Sequence, residues 1–94
     1  MTLVTIHRVN TREKLSATDA RFGVEVDIRH NPATGKLYLN HDPGSGEDFE
    51  EYIRAAAARR CPLVILNIKE AGIERTVIDT VIAHGIRDWF LLDV

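Results

Sequence analysis

The stretch Leu63-Val64-Ile65-Leu66-Asn67-Ile68 is an almost continuous apolar run of strand length, and it decides the fold class. Such runs are typical of strands that are buried on both faces of a parallel sheet. A helical pattern over residues 47–60 precedes the run, and another over residues 73–84 follows it. A final apolar strand is predicted for Trp89–Val94. The order helix, strand, helix, strand predicts an α/β fold with parallel strands.

The first half of the chain predicts further strands and a hairpin. Residues 3–6 form a short β-rich run, and residues 11–20 indicate either a short helix or a loop. Val24–Arg29 alternates apolar and charged residues, which is typical of a strand with one buried face. Asn31–Gly35 predicts a turn into a further strand over residues 36–41.

The predicted hairpin has a consequence for the side chains at its open end. If the hairpin is centred on residue 34, Asp27 pairs with His41, and cross-strand partners share a face of the sheet. Glu25 lies one step further along the same face. We therefore expect Asp27, His41 and Glu25 to lie together.

Composition excludes several classes of protein. The 94 residues are consistent with one domain, residues 1–94, and 45% hydrophobic with 28% charged residues is ordinary for a soluble globular chain. No apolar stretch approaches the ~18–20 residues of a membrane-spanning helix, and the N-terminus does not resemble a secretory signal. The single cysteine, Cys61, excludes an internal disulfide and a multi-cysteine zinc site. A net charge of −2 gives no positive field for nucleic acid. We expect a cytoplasmic protein without a nucleic-acid partner.

Side chains capable of chemistry recur where the predicted strands end. In parallel α/β folds, functional groups collect at the carboxyl ends of the strands, so this recurrence carries more weight than any single residue. Asp42 follows His41 and is a candidate to orient its ring. The complete set is His7 and Arg8, Glu25 and Asp27, His41 and Asp42, and Asn67 and Lys69.

Each of these groups has two interpretations. Glu25 and Asp27 suit a hard divalent cation, or they line the solvent face of a half-exposed strand. His41 is a general acid or base, or a loop histidine before a turn. Arg8 and Lys69 suit a phosphate group, or they are ordinary solvated cations.

Taken together, His7-Arg8, Glu25-Val26-Asp27 and His41-Asp42-Pro43 resemble the motifs of the glycerophosphodiester phosphodiesterase family. This family belongs to the phosphatidylinositol-phospholipase-C-like TIM-barrel phosphodiesterases. The three motifs occur in the family's order, and the resemblance covers roughly residues 3–70. It implies an incomplete (β/α) TIM-barrel-like domain with about the first five strands and a hairpin after the second.

The resemblance implies a metal-dependent phosphoric diester hydrolase that acts on a small phosphodiester. His7 and His41 would be its acid/base pair. Arg8 and Lys69 would hold the substrate phosphate. Such a reaction needs one base to activate the attacking oxygen and one acid to protonate the leaving alcohol.

The implied metal site departs from the family pattern. Glu25 and Asp27 would bind Ca²⁺ or Mg²⁺ together with a residue two positions before Lys69. The family has Glu at that position, whereas this chain has Asn67, a neutral oxygen donor. We therefore expect a weakened affinity for the cation.

Two further departures concern a loop and the length of the chain. Val9 stands where the family has Gly, and Asn10-Thr11 follow at once, so the loop is shortened. A full barrel needs ~200–250 residues. We therefore expect Trp89–Val94 to be covered either by another copy of the chain or by a missing C-terminal half.

Two alternatives to the enzyme stay open. One is a degenerate, non-catalytic barrel fragment that binds a phosphorylated ligand or serves as an assembly element, which Asn67 favours. The other is a small open α/β domain whose motif matches are accidental.

Overall fold

One open, mixed sheet of six strands organises the described part of the chain, residues 4–93 of a computed structural model. The strands are β1 (Thr5–Ile6), β2 (Gly23–His30), β3 (Leu37–Leu39), β4 (Glu47–Asp48), β5 (Val64–Ile68) and β6 (Trp89–Asp93). The helices are α1 (Arg12–Ala17), α2 (Phe49–Ala58) and α3 (Glu74–Ala83), and none of the three could cross a membrane. The predicted mixed α/β class is confirmed. Leu3 and Val94, the outer ends of two predicted strands, lie outside the described residues.

The parallel strands form one half of the sheet. The strand order is β4-β3-β2-β5-β6, and β1 pairs with β2 beside this path. The pairs β1–β2, β2–β5 and β5–β6 are parallel, whereas β2–β3 and β3–β4 are antiparallel. The carboxyl ends of β1, β2 and β5 therefore meet at one edge of the sheet.

The helices cover only one face of this sheet. Val26 and Leu66 are fully buried in one cluster with side chains from α2 and α3. On the opposite face, Ile65 is half-buried, and Phe90 and Leu92 are 48% and 38% exposed. The continuous apolar run predicted a strand buried on both faces, and this was wrong for β5. The second face of the sheet is open.

The hairpin register differs by one residue from the prediction. Ile28 pairs with Leu39, and the Asn40 amide donates to the Asp27 carbonyl at 3.1 Å. Asp27 is therefore opposite Asn40 rather than His41. The cause is the turn, in which Asn31 and Lys36 enclose four residues, so its centre falls between residues 33 and 34. An even number of turn residues cannot centre on a single residue.

Side chains cap the helices that follow the polar loops. The Thr11 hydroxyl accepts from the Lys14 amide at 3.0 Å, which starts α1 and decides between helix and loop for this segment. The Asp48 carboxylate accepts from the Glu51 amide at 3.0 Å and starts α2. The predicted helix began at Glu47, but Glu47 and Asp48 instead form the short strand β4.

Candidate functional site

The carboxyl ends of the parallel strands bring the predicted site residues to one edge. His7 and Arg8 directly follow β1, and Asp27 pairs with Asn67 across β2 and β5. His41 lies two residues beyond the end of β3. Polar contacts join these residues in two groups. One is the pair His7 and Glu25, and the other contains Arg8, His41, Asp27, Asn67 and Lys69.

Asp27 is the buried centre of this group, with 1% of its surface exposed. Its Oδ2 accepts from Asn10 Nδ2 at 3.0 Å, and its Oδ1 accepts from Asn67 Nδ2 at 3.3 Å. Lys69 Nζ lies 3.7 Å from Oδ1, and His41 Nδ1 lies 4.0 Å from Oδ2. A buried carboxylate requires such compensation, because burial removes its hydration. Each oxygen of Asp27 thus has a hydrogen-bond donor.

Asn10 belongs to the site although the sequence did not single out its side chain. Besides donating to Asp27 Oδ2, its own Oδ1 accepts from the Asp27 amide at 2.9 Å. The two bonds fix which end of the Asn10 amide faces the carboxylate, since a flipped amide would lose both. The signal available in the sequence was its position directly before the capping residue Thr11.

Arg8 sets the protonation pattern of His41. Arg8 Nη2 lies 3.3 Å from His41 Nε2, and a guanidinium can only donate, so Nε2 accepts. The ring proton then lies on Nδ1, which is buried, faces Asp27 and has no hydrogen-bond partner among the described residues. Asp42 is exposed, so the carboxylate that faces His41 is that of Asp27 and not that of Asp42. In this tautomer the lone pair of His41 Nε2 points at the Arg8 guanidinium.

The backbone at Arg8 is strained. Its φ is +54°, a left-handed conformation that residues other than glycine rarely adopt. The Lys14 ammonium donates to the Arg8 carbonyl at 3.0 Å, and the next amide, of Val9, donates to the Glu25 carbonyl at 2.9 Å. Val9 is fully buried, so it anchors the residue after Arg8 in the core. These contacts hold the backbone on both sides of Arg8 and so maintain its strained conformation, in which the guanidinium reaches His41.

His7 and Glu25 form a second, more exposed pair. His7 Nδ1 lies 3.0 Å from Glu25 Oε1, and a carboxylate accepts, so Nδ1 carries a proton. The His7 side chain is 76% exposed, and that of Glu25 is 14% exposed. Glu25 thus orients a ring whose other nitrogen is available to a ligand.

A third cluster, formed by Glu70, Arg29 and His30, holds the loop that carries His41. Arg29 donates to the His41 carbonyl at 2.8 Å and to Glu70 Oε2 at 3.2 Å. Glu70 Oε1 accepts from the His30 amide at 2.9 Å and lies 2.5 Å from His30 Nδ1. The His30 amide, followed by the Arg29 guanidinium and the His30 ring, lowers the pKa of Glu70 from its ordinary value. The sequence did not assign this positioning role to Arg29 or Glu70.

The donor set does not fit a tight divalent-cation site. Within residues 4–93, no group of three or more His, Cys, Asp or Glu side chains is arranged to hold a metal ion. Two carboxylates, Glu25 and Asp27, share the strand face. Asn67, the third ligand that the resemblance implies, directs its amide nitrogen and not its oxygen at Asp27. The Ca²⁺ or Mg²⁺ that the resemblance implies therefore stays a prediction.

Comparisons of the chain with protein-family models, curated proteins and solved structures gave no match. The likeness to the glycerophosphodiester phosphodiesterases therefore rests on the motif residues and on where they lie.

Proposed function

We propose that this edge of the sheet binds the phosphate of a small phosphodiester and that the chain hydrolyses it with His7 and His41. The observation that supports the proposal is the meeting of two histidines, each near a carboxylate, with Arg8 and Lys69 at one edge. Three motifs that are distant in sequence contribute to this meeting. Strand order alone brings the strand ends to one edge, but it gives no reason for a carboxylate to lie beside each histidine.

The proposed fold is the first part of a (β/α) barrel. Parallel strands in the order β1-β2-β5-β6 match the start of such a barrel, and the open face would become its interior. The exposed Phe90 and Leu92 on that face support a cover, either a second copy or further chain. The antiparallel pair β3–β4 would be the insertion after the second barrel strand.

In the proposed reaction, Arg8 moves from His41 to the substrate. A phosphate oxygen is a stronger acceptor for a guanidinium than a neutral imidazole nitrogen, and guanidinium–phosphate pairing is often bidentate. This transfer frees the lone pair of His41 Nε2. Lys69, 18% exposed beside Asp27, adds a second positive charge near the phosphoryl oxygens.

The contacts favour different roles for the two histidines. Arg8 donates to His41 Nε2, so this nitrogen presents a lone pair, which suits it as the base that takes the proton of the attacking hydroxyl or water. Glu25 accepts from His7 Nδ1, so a carboxylate lies beside the ring proposed as the acid. The new P–O bond forms as the bond to the leaving alcohol breaks. The proton from His7 ends on that alcohol.

The second candidate function is phosphate binding without catalysis. Asn67 supports it, because a neutral amide replaces the acid that the family uses at this position. Such a chain would hold a phosphorylated metabolite on Arg8 and Lys69 without cleaving it.

Hydrolysis of bis(4-nitrophenyl) phosphate by the full chain tests the proposal. His7→Gln and His41→Gln are each expected to lower the rate about 100-fold or more, as is usual when an acid or base is lost. His84→Gln is the matched control, since His84 binds Glu50 at the end of α3. Unchanged rates in both site variants would contradict the proposed roles. Binding of dimethyl phosphate without any turnover would favour the second candidate.

A further inference from the structure

We infer that Lys69, together with the Asn10 and Asn67 amides, satisfies Asp27 in place of a divalent cation, so that phosphate binding at this site needs no metal. The inference rests on the proposed function, because it assumes that the edge binds a phosphate group. The groups around Asp27 support it, and it differs from the resemblance, which implies a bound cation.

The first argument is the number of donors around the carboxylate. Each oxygen of Asp27 has two lone pairs, and one of them accepts an amide hydrogen. A further donor group also lies near each oxygen, Lys69 Nζ at 3.7 Å from Oδ1 and His41 Nδ1 at 4.0 Å from Oδ2, so a cation would have to compete with both. Asn10 cannot turn its oxygen towards a cation without losing its bond from the Asp27 amide as well. The burial of Asp27 adds to the cost, since water cannot replace the lost donors.

The second argument is electrostatic. A Ca²⁺ or Mg²⁺ ion lies about 2.0–2.6 Å from its carboxylate oxygens. On Oδ1 of Asp27, the ion would lie at most about 6 Å from the Lys69 ammonium, which is itself 3.7 Å from that oxygen. The two like charges would repel in a partly buried place, where screening by water is weak. A cation on this oxygen would therefore bind more weakly than it would without Lys69 beside it.

The third argument concerns the charge available for phosphate. Arg8 and Lys69 are basic side chains at the same edge. Arg8 contacts His41 and Lys69 lies near Asp27, and a bound anion could replace or share each of these partners. Two positive side chains are sufficient to hold a singly charged diester. The site thus has the charge that a metal would otherwise supply.

The test is the thermal midpoint of the full chain with dimethyl phosphate, measured in EDTA and then in millimolar Ca²⁺ or Mg²⁺. A ligand that binds the folded state raises the midpoint by mass action. We expect the same phosphate-dependent rise in all three conditions and no rise with either cation alone. Lys69→Gln should weaken phosphate binding at least about tenfold, Lys69→Arg should retain it, and Lys36→Gln, an exposed lysine in the hairpin, should match the wild type.

Three outcomes overturn the inference, and they separate it from the proposed function. A phosphate-dependent rise that needs Ca²⁺ or Mg²⁺ overturns the inference and leaves the proposed function in place. A rise with a cation alone that Asp27→Asn abolishes also overturns it. No response to phosphate in any condition overturns the proposed function, and the inference with it. If Lys69→Gln fails to fold by circular dichroism, the wild type and Lys69→Arg still decide between metal-dependent and metal-independent binding.

Discussion

Asp27 and Glu25 are carboxylates two residues apart on the same face of β2, yet their surroundings are opposite. The Asp27 side chain is 2% exposed and has two amide donors, with an ammonium and an imidazole nearby. Glu25 has one partner, His7, which is 76% exposed. The difference shows that a single motif can combine two tasks. The buried acid has four polar groups around it, Asn10, Asn67, Lys69 and His41, whereas the partly buried Glu25 orients a single exposed ring.

The largest expected effect comes from removing the charge of each acid in turn. Asp27→Asn should lower the free energy of unfolding by about 2–4 kcal/mol, because it leaves Lys69 without its partner and sets an amide against the Asn10 amide. Glu25→Gln should cost less than about 1 kcal/mol, since its pair is exposed to water. Urea unfolding of both variants measures the difference between the two losses in unfolding free energy. Equal losses would mean that the two acids do not differ in role.

The next effect compares the two asparagines that bind Asp27. Asn10→Ala removes two bonds, at 2.9 and 3.0 Å, and leaves the Asp27 amide without its partner, which should cost about 1–3 kcal/mol. Asn67→Ala removes one long bond of 3.3 Å and should cost less than Asn10→Ala. The same urea experiment ranks them. A larger loss for Asn67→Ala would show that Asn10 stabilises Asp27 less than Asn67 does.

These contrasts also show what the sequence could predict about the site. Residues at the carboxyl ends of parallel strands meet for a topological reason, so Asp27, Asn67 and Lys69 could be placed from strand order alone. The contribution of Asn10 depends on a contact across 17 positions between a loop and β2, which no local pattern reports. Arg29 was missed for the same reason, since its partners His41 and Glu70 come from two other segments.

In the fold, too, some features could be predicted from the sequence and others could not. Alternation in β2 and the apolar run of β5 identified both strands, because periodicity is a local property. The hairpin register depended on counting turn residues, and one residue of error moved the partner of Asp27 from His41 to Asn40. The open face was not visible in β5, because Ile65 is apolar whether or not a helix covers it.

The smallest expected effect is a dependence on pH at the Glu70 cluster. The pKa of Glu70 lies below its ordinary value of 4.5, so the fold stabilises the ionised form. That stabilisation is complete above about pH 4.5 and is lost as the pH falls through the lowered pKa. Glu70→Gln lacks it, so the difference in unfolding free energy between wild type and variant should shrink in acid.

The matched control for that experiment is Glu13→Gln, which changes an exposed acid on α1. Urea unfolding at a series of pH values measures both variants against the wild type. A difference between wild type and Glu70→Gln that stays constant from neutral pH to below 4.5 would show that the bonds from Arg29 and His30 do not favour the ionised carboxylate.

The most direct test of the proposed site is nuclear magnetic resonance of the ¹⁵N-labelled chain during titration with dimethyl phosphate. Long-range ¹H–¹⁵N spectra of histidine rings report which nitrogen carries the proton and what the other one contacts. We predict that His41 begins with its proton on Nδ1, and that phosphate shifts Nε2 of His41 together with the side-chain signals of Arg8 and Lys69. Shifts that leave His41, Arg8 and Lys69 unchanged, or no shifts at all, would contradict a phosphate site at this edge of the sheet.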